Sequence, residues 1–122
     1  MFAKMVIGEC LSEAELREFA KIYENDLTPQ LVKEPGYAGS QLLVEEGGNM
    51  VIALTTWATR EDCLRHHSSR NYRQFVAGTQ HLLAGSFVVK IFKEEVNGMH
   101  SNGRSINHGN PSKRHPRMAR IV

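Results

Sequence analysis

Residues 1 to about 96 are expected to fold as one α+β domain, a ferredoxin-like βαββαβ unit on a four-stranded antiparallel sheet. Two observations lead to this. Segments of strand period and helix period follow one another in the order β-α-β-β-α-β, and the turn sequence Glu46-Gly47-Gly48-Asn49 joins two apolar runs as a hairpin. Both strand–helix–strand crossovers should be right-handed, which places both helices on one face of the sheet.

The first strand is Phe2 to Ile7, short, apolar and β-branched at its end, with Gly8 behind it. Ser12 and Glu15 have the spacing of a capping box, and Leu16, Phe19, Ala20, Tyr23, Leu27 and Leu31 then make one helical stripe. Pro29 removes a bond that Asn25 would accept, so the helix is expected to kink, or to restart with Thr28 as its cap. Pro35-Gly36 ends it. The second strand spans about Tyr37 to Val44 and the third Met50 to Trp57. Thr59 with Asp62 caps a second helix, Ser68-Ser69 interrupts it, and Ser69 recaps a continuation through Tyr72, Phe75, Val76 and Thr79. Gly85 is expected to stop that helix before a fourth strand, Ser86 to Phe92.

Both faces of this sheet are apolar. On the third strand Val51, Ala53, Thr55 and Trp57 oppose Met50, Ile52 and Leu54, and on the fourth Val88 and Phe92 oppose Phe87, Val89 and Ile91. The chain has helix enough for one face only. Burying four or five such side chains gains roughly 1.5–3 kcal/mol each, so the bare face is expected to pair with a second copy as a homodimer.

Charge divides the chain. Residues 97–122 hold five of the 15 basic residues and no acid, leaving ten bases against 13 acids before them. The basic tail, with Lys113, Arg114 and Arg117 clustered, has no hydrophobic period and is expected to be disordered. Its composition leaves a nucleic-acid contact open for the tail, while the slightly acidic body argues against one. No apolar run approaches the roughly 18 residues that cross a bilayer. The N-terminus has no signal-peptide pattern, and Cys10 and Cys63 fit no ligand spacing. A cytoplasmic protein with free thiols and no membrane partner is the expectation.

The run from Trp57 through Thr59, Asp62, His66, Ser69, Tyr72 and Phe75 resembles the signature of the antibiotic biosynthesis monooxygenase (ABM) domain. Pro35-Gly36-Tyr37 and Leu83-Ala84-Gly85 agree with it, and the resemblance covers residues 1–96. It implies a dimeric α/β barrel with a small-molecule cavity between helices and sheet. It also implies oxidation of phenolic, quinol or polyketide-like rings by molecular oxygen without a cofactor.

On that resemblance Trp57 faces the helices, where its indole N–H could bond a substrate carbonyl. His66 matches the family's helical histidine, a general base near neutral pH or a polar anchor for a hydroxyl. Tyr72 is the third catalytic candidate, and Arg73, Thr55 and Tyr23 are the substrate-binding ones, with core packing the ordinary role of Tyr23. His67 is turned by about 100° from His66, so the two should not face one cavity. That spacing, with no carboxylate beside it, gives no metal site. Ala53 stands where ring-oxidising members can carry Asn, and Val76 and an apolar first strand stand where heme-degrading members carry ligands, so heme degradation is discounted. Two other readings stay open: a non-catalytic small-molecule-binding or stress-response protein, and an isomerase on the same barrel. An RRM-type RNA-binding domain ranks last, because strand three (MVIALTTW) lacks stacking aromatics.

Overall fold

β1 (Phe2–Glu9) opens the sheet and runs two residues beyond the expected Ile7. α1 (Glu13–Ile22), a π-helical turn (Tyr23–Leu27) and α2 (Thr28–Leu31) make the first helical segment. β2 (Tyr37–Val44) and β3 (Met50–Trp57) form the hairpin at the expected bounds. α3 (Arg60–His67), α4 (Arg70–Thr79) and β4 (Val88–Lys93) complete the unit. The computed structural model describes residues 1–96, so the basic segment 97–122 and its expected disorder lie outside the described residues.

Local chemistry sets the helix ends. Ser12 accepts from the Ala14 N–H at 3.1 Å, and its hydroxyl donates to Glu15, so the capping pair closes on itself. Thr59 accepts from the Asp62 N–H and Ser69 from the Tyr72 N–H, each at 3.1 Å. Pro29 acts differently from expectation. Thr28 does not cap a restarted helix, because its own backbone is helical and its hydroxyl donates to the Tyr23 carbonyl at 3.0 Å. A proline ring crowds the carbonyl four residues back, and the chain relieves this by widening one turn to π geometry instead of breaking. Gly85 is not the helix stop either. α4 ends at Thr79, whose hydroxyl donates back to the Phe75 carbonyl at 2.8 Å, and a 3₁₀ turn follows (Gln80–Leu82). Leu83 then bridges to Cys10, and the Ala84 N–H donates to the Glu9 carbonyl at 2.8 Å.

The strand order is β2-β3-β1-β4, and every pairing is antiparallel. Register aligns the inward side chains in rows across the sheet. One row is Leu42, Ala53, Val6 and Val89, the next is Ser40, Thr55, Lys4 and Ile91, and the last joins Tyr37, Trp57 and Phe2. Above them Phe19 packs edge-on to Phe75 and Phe87 at ring distances of 5.5 and 5.9 Å. A Cβ on Gly8 would stand 2.9 Å from the Phe87 ring, so glycine there lets the ring lie on the strand. Gly36, at φ +80°, turns the chain into β2 against the Asp62 side chain, where any other residue would be strained.

The opposite sheet face carries Met5 and Ile7 of β1, Ile52 and Leu54 of β3, Leu43 of β2, and Val88 and Phe92 of β4. No helix covers it among the described residues. Val88 and Phe92 are about half exposed, at 51% and 46%.

Candidate functional site

Alternation along β1 sends Phe2, Lys4 and Val6 to the helix side, and Lys4 is consequently buried to 1% exposure. Its Nζ donates to His66 Nδ1 at 3.3 Å and lies 3.6 Å from the centroid of the Tyr72 ring. No carboxylate stands within ion-pair distance of it among the described residues. Burial pushes the ammonium down from 10.5 to about 8, an effect that the charge of an ionised Cys63 would offset only in part. An unpaired cation in a protein interior is costly, and here it is held by one neutral acceptor and one aromatic face.

His66 sits on the inner side of α3, 2% exposed, with its ring stacked on Trp57 at 4.9 Å and tilted to Tyr72 at 5.5 Å. Burial, then the Lys4 charge, then His67 push its pKa down to about 3. The imidazole is therefore neutral at physiological pH. Because Nδ1 accepts from the Lys4 ammonium, the ring proton belongs on Nε2. Such a ring is a weak base near neutrality, and its Nε2–H is left as a donor.

Trp57 is fully buried at the end of β3, stacked on His66 and edge-on to Tyr37 at 5.9 Å. Its Nε1–H donates to Thr55 Oγ1 at 2.9 Å. The N–H expected to meet a substrate is thus satisfied within the protein, and Thr55 is its partner, set beside Lys4 by the β1–β3 register.

Tyr72 joins this interior to the surface. It lines a groove of about 640 Å³ between α4 and β4, with His67, Arg73, Val76, Phe87 and Val89 among the walls. Burial pushes its phenol up to about 12, so it stays protonated. His67 lies on the groove side, its ring 5.2 Å from Tyr72, while His66 takes the core side. The His67 Nδ1 is buried without a hydrogen-bond partner. Arg73 is exposed at the rim, its Nε donating to the Ser69 carbonyl at 3.4 Å.

Of the six residues expected to carry chemistry, Thr55, His66 and Tyr72 neighbour Lys4, Trp57 joins them through His66 and Thr55, and Arg73 stands outside at the groove. Tyr23 packs edge-on to Phe75 at 6.0 Å with its hydroxyl toward Ser40, making no hydrogen bond of ordinary geometry. Lys4 was missed in the sequence, where it lies in a segment read simply as apolar. The signal was its place between Phe2 and Val6 on one side of a strand. Among the described residues no group of three or more His, Cys, Asp or Glu is placed to hold a metal ion, and no helix is long and apolar enough to cross a membrane.

Against known proteins, the profile of the family described as antibiotic biosynthesis monooxygenase matches residues 11–78. The fold is similar to that of the monooxygenase ActVA-Orf6 of Streptomyces coelicolor, solved with nanaomycin D. The TM-score is 0.71 at 11% identity, over 79% of this chain and 88% of that one. It is also similar to a mutant of SnoaB, a cofactor-independent oxygenase of Streptomyces nogalater. There the TM-score is 0.67 at 13% identity, over 79% of this chain and 94% of the other. A conserved protein of Methanosarcina mazei superimposes with a TM-score of 0.67 at 16% identity, over 78% of this chain and 94% of that one. Comparison with curated protein sequences gives no match.

Proposed function

The chain belongs to the antibiotic biosynthesis monooxygenase family, and from that premise we propose that it is a cofactor-independent monooxygenase acting on a flat phenolic, quinol or polyketide-like ring. The reading is carried by one observation: a buried, titratable cluster of Lys4, His66 and Tyr72 meets, through Tyr72, a groove of about 640 Å³. Val76, Phe87 and Val89 offer the ring apolar walls. Tyr72 separates it from the interior, and the neutral His66 with the Trp57–Thr55 pair behind it fixes the cluster's geometry.

The chemistry asks little of the protein. A ring that has lost a proton is electron-rich enough to reduce dioxygen, provided water is kept away and the anion is stabilised. With an anthrone, the CH₂ carbon becomes a carbonyl. One oxygen atom of O₂ enters the ring and the other leaves as water with both carbon-bound hydrogens, so the substrate supplies all four electrons. Two copies joined through the bare sheet faces would complete the barrel.

The family assignment alone does not require turnover, and the closed interior around Trp57 favours one competing reading, a binding protein that does not react. Oxygen uptake separates them. Purified protein is incubated with a panel of anthrones, naphthoquinols and catechols, without flavin, metal or NADH. Uptake above buffer with at least one substrate is expected. Tight binding across the panel with no uptake would replace the oxygenase by the binding protein.

A further inference from the structure

Lys4 is a buried cation with no anionic partner among the described residues. An ammonium has three N–H donors. One goes to His66 Nδ1 and one side faces the Tyr72 ring. The groups around it are all uncharged or cationic: Thr55 and Ile91 across the strands, Cys63, His66 and His67 from α3, and Tyr72 from α4. Burial keeps the Cys63 thiol in its neutral form. A protein that wanted only a packed interior would place an aliphatic residue here, since a lone buried charge is destabilising.

A hydrogen-bonding atom with no partner lies on the groove side of Tyr72. His67 Nδ1 is buried and unpartnered, and it borders the groove with Tyr72. The Tyr72 ring neighbours both groups, with Lys4 Nζ 3.6 Å from its centroid and the His67 ring 5.2 Å away. Swinging the Tyr72 ring toward the groove mouth would uncover Lys4 to whatever occupies the groove.

We propose that the groove binds a flat aromatic ligand as its oxyanion, with the ionised hydroxyl on Lys4 Nζ in place of the Tyr72 ring and a neighbouring oxygen on His67 Nδ1. An aromatic ring suits the apolar walls of Val76, Phe87 and Val89. An anionic oxygen supplies the countercharge that the protein omits, in a setting where a preoriented cation acts strongly. Two adjacent oxygens suit a cation without a counter-charge and an imidazole nitrogen without a partner. The proposal rests on the groove being the substrate site, as argued above, but not on oxygen being consumed there.

The probe is 4-nitrocatechol, whose colour reports ionisation and which carries two adjacent oxygens. It is titrated anaerobically into the full chain across a range of pH. The bound probe is expected to ionise at least one pH unit below the free one, and the dimethyl ether 4-nitroveratrole to bind at least tenfold more weakly. Lys4→Met should abolish the shift and weaken binding at neutral pH at least tenfold, with circular dichroism reporting whether the variant is folded. His67→Phe should weaken binding several-fold and keep the shift. The proposal falls if the bound probe ionises as it does in water, if the ether binds equally well, or if folded Lys4→Met retains the shift. The first two outcomes need no variant. An ionised bound probe without oxygen uptake on any substrate would support this proposal and remove the oxygenase alone.

Discussion

The two faces of one sheet solve opposite problems with the same alternation. On the helix side, where charge is most costly, β1 places Lys4 and α3 places His66, each nearly inaccessible to water. On the far side, where charge would be free, Met5, Ile7, Leu54 and Phe92 form an apolar patch beside Lys90, the cross-strand neighbour of Met5. Stability alone would distribute them the other way. The inversion is what the two proposals account for, a ligand for the inner face and a second copy for the outer one, and each can be tested on its own.

The largest expected effect lies on the inner face in acid. His66 protonates near 6.5 when unfolded and at about 3 in the folded protein. The unfolded state therefore binds more protons throughout that interval, and stability must fall as pH drops through it, by up to roughly 5 kcal/mol. His67, also held below its ordinary value, contributes with the same sign. Urea unfolding of wild type and His66→Gln at pH 7, 5 and 4 isolates the His66 share, because glutamine can still accept from Lys4 but does not titrate. Parallel curves for the two proteins would mean that the imidazole is not desolvated.

The outer face comes next. Leu54 lies opposite Met5 at the centre of the sheet, the place where a partner would dehydrate side chains most completely. Leu54→Asp is expected to weaken self-association about a thousandfold, or about 4 kcal/mol, as interface hot spots do. Sedimentation velocity should find a dimer for wild type and a folded monomer for the variant. A monomeric wild type at micromolar concentration would break the comparison at this face and leave the inner one untouched.

The fold was legible because its signals are local and repeated. Strand bounds at Tyr37–Val44 and Met50–Trp57 follow from alternation and turn residues, and the caps at Ser12, Thr59 and Ser69 from spacing. The errors arose where tertiary contacts override local preference. Pro29 widened a helix that packing on Leu27 and Leu31 keeps continuous, and α4 stops early because Leu83 is drawn to Cys10. The site was half legible. Trp57, His66 and Tyr72 belong to one sequence run and one cluster, but Lys4 is 62 residues from His66. Only the register of β1 against β3 brings it there. The taking of the Trp57 N–H by Thr55 was equally invisible, being a choice between two acceptors, protein and substrate.

A third test returns to the inner face in alkali. Lys4 titrates at 10.5 when unfolded and at about 8 in the fold, so again the unfolded state binds more protons between those values. Stability should rise with pH across that window, by roughly 3 kcal/mol before other groups are counted. Lys4→Met should abolish that rise and be more stable than wild type at pH 7. A Lys4→Met protein less stable than wild type at pH 7 would show that the ammonium is already well compensated, and the contrast between the faces would lose its force.

The smallest effect separates scaffold from chemistry on that same face. Ser69 accepts from the Tyr72 N–H and so begins the helix that carries the ring over Lys4. Ser69→Ala should cost about 1 kcal/mol, the usual loss for an N-cap. The Tyr72 ring, however, also packs against His66 and His67, whose rings lie 5.5 and 5.2 Å from it. The cap should therefore set stability without setting the Lys4 environment, and the alkaline rise should survive in the variant at its wild-type size. If the rise shrinks together with the cap, the cover over Lys4 is maintained by the start of α4. Tyr72 would then have to move with its helix, not as a ring alone.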